Sequence, residues 1–152
     1  MEPSFVFLVR HAEKAQDGTK DPPLTGDGRA RAVCLARVLG DAGVSHVFST
    51  DLKRTAQTVQ PLADRLGLRV EQLPASDTDV VVSSLRDLPP GSVAVVAGHS
   101  NTLPVIVDGL GGTMSGLDSN GYIEHDTYDR MIEVVIAPAE PPRVLELRFC
   151  AP

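Results

Sequence analysis

The chain has 152 residues, 42% of them hydrophobic, which is enough for one ordinary domain with a sizeable core and too few for two comfortable ones. Fourteen Lys and Arg against twenty Asp and Glu leave a net charge of −6, which disfavours a nucleic-acid partner. The composition excludes a disordered or collagen-like chain, and no apolar run approaches the ~20 residues of a membrane span. Met1-Glu2-Pro3 lacks the basic start of a secretory leader, so the expected location is cytoplasmic, without membrane association. Cys34 and Cys150 form no C-x-x-C and no zinc-type spacing, and the expectation is two reduced thiols rather than a disulfide.

Short β-rich runs alternate with helical stripes along the chain. This predicts an α/β fold: a three-layer α/β/α sandwich with a mostly parallel central sheet and a C-terminal antiparallel hairpin. Ser4 to Val9 reads as a strand buried on both faces. A helix follows from about Gly28 to Leu39, striped by Ala32, Leu35, Ala36 and Leu39. Val44 to Phe48 is the second strand. The next helix begins near Asp51 and stops at Gly67, and Pro61 should kink or split it.

Leu68 to Leu73 is the third strand and Asp79 to Leu88 a short helix closed by Pro89-Pro90-Gly91. Ser92 to Ala97 is the fourth strand, and Asn101 to Leu110 a helix that tolerates Pro104 in its first turn. Gly111 to Asp126 reads as a mobile loop. Met131 to Ala137 and Val144 to Cys150 make the closing hairpin. With no internal repeat and no linker, residues 1–152 are expected to form a single domain.

Three strand-to-helix junctions carry the chemistry. The first strand runs into Arg10-His11-Ala12-Glu13-Lys14, the second leads through Ser49, Thr50 and Asp51 to Arg54, and the fourth runs into Gly98-His99-Ser100-Asn101. Ligands of an open α/β sheet bind outside the carboxyl ends of its strands, so parallel strands would gather two histidines and two arginines at one edge. Forked guanidinium donors suit phosphate or carboxylate, and the helix near Arg54 turns its positive end the same way. Adjacent arginines would repel a cation, so neither metal nor cofactor is expected. An anion and covalent catalysis by imidazole fit better.

The ordered set Leu8-Val9-Arg10-His11-Ala12-Glu13, Pro23-Leu24-Thr25-Gly26-Asp27-Gly28, Phe48 through Thr58 and Val96 through Thr102 resembles the histidine phosphatase superfamily, phosphoglycerate-mutase branch. The small phosphohistidine phosphatases of that branch are similar in length. The resemblance implies that His11 attacks phosphorus to give a phosphohistidine, while Arg10, Arg54 and His99 clamp the equatorial oxygens. His11 must then be neutral at its attacking nitrogen, with the other nitrogen donating to a backbone carbonyl. Backbone amides near Ser100 would add to the cradle. Thr25 would either cap the following helix or line the site, and Glu13 would either pair with Lys14 at the surface or contact ligand.

The general acid of mutase-type members is a Glu after the third strand; that region here offers only Asp77 and Asp79. His125-Asp126-Thr127 copies a second pattern but follows no strand and is set aside. The mutases also carry a long insertion between the third and fourth strands, for which there is little room here, so hydrolysis at an open site is expected rather than mutase activity. The substrate would be a phosphorylated small molecule or a protein phosphohistidine, with inorganic phosphate as product. Tyr122 and Tyr128 are candidate substrate contacts.

Two rival readings differ in class. One is a non-catalytic phosphate- or phosphopeptide-binding protein of the same fold, for which a retained His11 is unnecessary. The other is an α/β-hydrolase-type esterase with Ser100 as nucleophile and His125 as base. It requires Gly at position 102, where this chain has Thr, and leaves Arg10, His11 and Arg54 unexplained.

Overall fold

In the computed structural model, which describes residues 2–150, the first apolar run forms strand β1 (Ser4–Arg10). Its Val6, Leu8 and Val9 are fully buried, as a strand covered on both faces requires. The remaining elements are α1 (Gly26–Leu39), β2 (His46–Thr50), α2 (Lys53–Leu66), β3 (Val70–Leu73), α3 (Thr78–Arg86), β4 (Val93–Gly98), α4 (Leu103–Gly109), β5 (Arg130–Ile136) and β6 (Arg143–Arg148). They build one six-stranded sheet in the order β3-β2-β4-β1-β5-β6. β3, β2, β4 and β1 run parallel; β5 and β6 add antiparallel, as the hairpin reading anticipated.

Alternation of side chains along each strand supplies two cores, one per face. Val9, Val47, Val95 and Ala97 pack with Leu35 of α1 and Leu62 of α2. Val6, Leu8, Ala94 and Val96 pack with Leu85 of α3 and Ile106 of α4. The helices therefore lie on both faces of the sheet.

Local chemistry fixes the element ends. Thr25 caps α1, its hydroxyl accepting from the Gly28 amide at 3.0 Å. Gly28 is obligatory for another reason: a Cβ there would fall 2.2 Å from the Glu13 carbonyl oxygen. α2 closes at Gly67, whose φ of +67° is left-handed.

One expectation needs correction and another is narrowed. Of the two outcomes expected at Pro61, a split does not occur, since α2 runs unbroken from Lys53 to Leu66. Proline removes one amide donor, but fully buried Val59, Leu62 and Ala63 around it hold the helix by packing. Cys34 and Cys150 are not free thiols but a disulfide, with Cα atoms 6.3 Å apart. Burial of Phe149 in the same core as Leu35 and Ala36 carries the end of the chain onto α1 and sets Cys150 against Cys34. No helix among the described residues is long and apolar enough to cross a membrane.

Candidate active site

Parallel pairing places Arg10 of β1 beside Gly98 of β4, and the His11 amide donates to the Gly98 carbonyl at 2.8 Å. The residues just beyond the two strands, His11 and His99, thus become neighbours, with ring centroids 5.4 Å apart. β2 lies on the other side of β4 and is longer at its carboxyl end than the sequence pattern suggested. It delivers Thr50, whose hydroxyl oxygen is 3.1 Å from His99 Nε2. Arg54 follows in the first turn of α2. The four residues expected to act together are therefore gathered at the carboxyl edge of the sheet.

His11 is 5% exposed, and its Nδ1 lies 2.8 Å from the Ala12 carbonyl oxygen. A carbonyl can only accept, so Nδ1 carries the proton and Nε2 keeps its lone pair. Burial, reinforced by the charges of Arg10, His99 and Arg54, drives the His11 pKa down to about 3. His99 is pushed to about 4 by burial first, then by Arg54 and Arg10. Both rings are neutral near pH 7. The backbone beside the nucleophile is held by Thr58, which accepts from the Ala12 amide at 2.8 Å and donates to the Arg54 carbonyl at 2.6 Å.

Arg10, also 5% exposed, uses one nitrogen on the far loop: Nη1 donates to the carbonyls of Glu124, His125 and Thr127 at 3.3, 2.7 and 2.9 Å. The ring of Tyr128 lies over its guanidinium, 4.1 Å from ring centroid to carbon, and 6.3 Å from the His11 ring. The segment set aside because it follows no strand is thus drawn against the site by its backbone. The Ile123 amide fastens it further by donating to the Ser100 carbonyl at 3.0 Å.

The Nε atoms of Arg10 and Arg54 are both buried without a hydrogen-bond partner. Orphaned guanidinium donors beside a neutral imidazole are what an anion would satisfy. Among the described residues, no group of three or more His, Cys, Asp or Glu is disposed to hold a metal ion.

The other candidates are placed differently. Glu13 does not pair with Lys14. Its carboxylate takes a bidentate pair from Arg31 of α1 at 2.9 and 3.1 Å, with Arg31 itself 8% exposed. Burial pushes the Glu13 carboxyl up, but the Arg31 bonds more than offset this and hold it below the usual range. Thr25 is engaged as the cap of α1 and donates to the Glu13 carbonyl at 3.3 Å. Asp77 caps α3, accepting from the Val80 amide at 3.3 Å; it and Asp79 are exposed. Among the described residues, neither is paired with Arg10, His11, Arg54 or His99. Tyr122 is 43% exposed on the outer part of the loop. Thr50, Thr58 and Arg31 were not assigned roles from sequence, because a hydroxyl or a guanidinium on a helix carries no signal until its neighbours are known.

Comparison with known proteins bears on this geometry. The model of the histidine phosphatase superfamily (branch 1) matches residues 6–76. A probable phosphoglycerate mutase GpmB of Yersinia enterocolitica is 39% identical over 71 residues, covering 43% of this chain and 33% of the relative. The corresponding protein of Shigella dysenteriae is 38% identical over 68 residues, 41% of this chain and 32% of its own. The chain therefore spans about a third of the length of the curated relatives it matches. In fold, it superimposes on the protein histidine phosphatase SixA complexed with tungstate, with a TM-score of 0.76 and 22% identity over 95% of this chain and 96% of the other. A mycobacterial glucosyl-3-phosphoglycerate phosphatase gives a TM-score of 0.69 at 16% identity, covering 99% and 100% of the two chains.

Proposed function

We propose that the chain, whose residues 6–76 match the histidine phosphatase superfamily (branch 1), is a phosphatase that works through a phosphohistidine on His11. The observation that carries this reading is the state of His11: proton fixed on Nδ1 by the Ala12 carbonyl, lone pair free on Nε2, and orphaned Arg10 and Arg54 donors around it. In the first step Nε2 bonds to phosphorus as the bond to the leaving group breaks, and the leaving group departs with the electron pair. In the second, water attacks the phosphorus of the phosphohistidine and releases inorganic phosphate and free His11. Arg10, Arg54 and His99 surround the phosphoryl oxygens, where charge must be held as the group transfers.

Asp77 and Asp79 remain the carboxylates nearest in sequence to the place of a general acid, but both stand exposed. Substrates with good leaving groups, protein phosphohistidine among them, suit such a site. Likeness in fold to a phosphohistidine phosphatase supports that substrate class, and likeness to a sugar-phosphate phosphatase supports a phosphorylated small molecule. The names of the curated relatives favour a second reading, mutase activity on phosphoglycerate. Against it stands the short connection between β3 and β4, residues 74–92, which leaves little chain for a lid that would exclude water. The Cys34–Cys150 bond weighs against the cytoplasmic location expected from the sequence, since cytosolic thiol buffers keep such pairs reduced.

The experiment is hydrolysis of p-nitrophenyl phosphate in EDTA by wild type, His11→Ala and Ser100→Ala, with 3-phosphoglycerate isomerisation measured in parallel. Activity lost with His11 alone supports the phosphatase. Loss with Ser100 alone would favour the esterase-type site, and isomerisation faster than hydrolysis would favour the mutase.

A further inference from the structure

Two peptide units flank the Cα of His11, and each is pinned from a different side. The amide entering His11 donates to the Gly98 carbonyl at 2.8 Å, a bond between neighbouring strands. The amide leaving it, that of Ala12, finds a side chain instead and donates to Thr58 Oγ1 at 2.8 Å. Ala12 and Thr58 are 0% and 1% exposed, so bulk water cannot stand in for that hydroxyl. A buried amide left without an acceptor is costly, and the turn of the chain out of β1 depends on this one.

Thr58 Oγ1 has two partners, and their chemistry leaves no choice of direction. The Ala12 amide can only donate. The Arg54 carbonyl, 2.6 Å away, can only accept, whatever other donor it also serves. The hydroxyl therefore takes a hydrogen bond from the loop of His11 and gives its own proton to the first turn of α2. That bond to the carbonyl four residues back is one threonine makes readily within a helix, and it fixes where Oγ1 stands.

We infer that Thr58 is a positioning residue: it fixes the peptide between His11 and Ala12, and with it the aim of His11 Nε2 at an anion held by Arg54. The consequence in turnover rests on the phosphatase reading; the hold on the peptide does not. A side chain is aimed first by its Cα–Cβ bond, whose direction the two flanking peptides set. Gly98 fixes one of them beside His99, and Thr58 fixes the other beside Arg54. Ala12 then serves the ring twice, because its amide is held by Thr58 and its carbonyl receives the proton of His11 Nδ1 at 2.8 Å. Imidazole and guanidinium are thus referenced to each other before substrate arrives, and transfer of a phosphoryl group depends on such alignment. Thr58 gives no proton to the reaction itself, since its own is spent on the Arg54 carbonyl.

The test reads the Ala12 amide and the reaction separately. His11-Ala12 is the single His-Ala step in the chain, so carbonyl-13C histidine with 15N alanine marks that amide alone as a carbonyl-coupled signal. It should exchange slowly with deuterium in wild type and quickly in Thr58→Val, which keeps the shape and removes the hydroxyl. In p-nitrophenyl phosphate hydrolysis, Thr58→Val should lower kcat roughly 10–100-fold while the inhibition constant of inorganic phosphate stays within about twofold, because aim is lost and the anion clamp is not. Thr58→Ser should restore slow exchange and most of kcat. Fast exchange of this amide in wild type overturns the inference even where Thr58→Val does not fold. Unchanged kcat in folded Thr58→Val overturns it as well, as does phosphate binding lost in step with kcat, or Thr58→Ser as slow as Thr58→Val. An inactive wild type with slow exchange that depends on Thr58 would instead remove the phosphatase reading and leave the hold on the peptide standing.

Discussion

Cutting the Cys34–Cys150 bond should destabilise the protein without touching its chemistry. The bond closes a loop across 116 positions, from the middle of α1 to the end of the chain. The chain-entropy relation for a loop of that length gives about 4.8 kcal/mol at 25 °C, within the range of about 2–5 kcal/mol seen on removing native disulfides. For a domain of this size that corresponds to a fall in Tm of roughly 4–20 °C. The assay is urea unfolding at pH 7 of the oxidised protein, the reduced protein and the Cys34→Ser/Cys150→Ser double variant. Midpoints should drop together in the last two, and the slope m should rise because the unlinked denatured chain exposes more surface. Phosphatase turnover well below all three transitions should be unchanged, since Phe149 still packs against α1 without the bond. Equal midpoints with and without reductant would refute the reasoning, as would an oxidised protein that titrates two free thiols.

The histidines give a pH signature: in NMR titration, His11 should show a midpoint near 3 and His99 near 4, with neither titrating between pH 6 and 8. Both folded values lie below the ordinary histidine value of about 6.5, so their contribution to stability is complete above that pH. It is lost as pH falls towards the folded values, because only the unfolded chain takes up the protons; denaturation midpoints should decline from pH 6.5 downward. Glu13→Gln leaves the buried Arg31 guanidinium without its carboxylate and should lower stability by about 2–3 kcal/mol in urea melts. Arg54→Ala removes one charge-stabilising donor and should reduce kcat about 10²–10³-fold with unfolding midpoints near those of wild type.

What could be read from the sequence was whatever announces itself by local pattern. Arg10, His11 and His99 lie at or just beyond the ends of apolar strands and Arg54 in the first turn of a helix, so parallel pairing alone brings them together. The Glu13–Arg31 pair was hidden because Arg31 occupies a polar place beside the apolar stripe of α1, and nothing nearby reveals that the first strand ends above it. The disulfide was hidden for a related reason: its cysteines are far apart in sequence, and only the burial of Phe149 makes them neighbours. At Pro61 local pattern leaves a kink and a split both open, and α2 stays unsplit because buried Val59, Leu62 and Ala63 surround the proline. Likewise the backbone of Glu124 to Thr127 has no strand to announce it, and meets Arg10 only through its carbonyls.

The central claim is that His11 Nε2 carries the phosphoryl group in transit, and trapping that species tests it most directly. Enzyme mixed with a phosphorylated substrate would be quenched in alkali, where phosphohistidine survives, digested, and mapped by mass spectrometry and 31P NMR. The expected result is a phosphoryl group on His11, bound to Nε2 because Nδ1 is committed to the Ala12 carbonyl. A phosphoryl group on Nδ1 or on another residue, or turnover in which no phosphoenzyme forms, would contradict it.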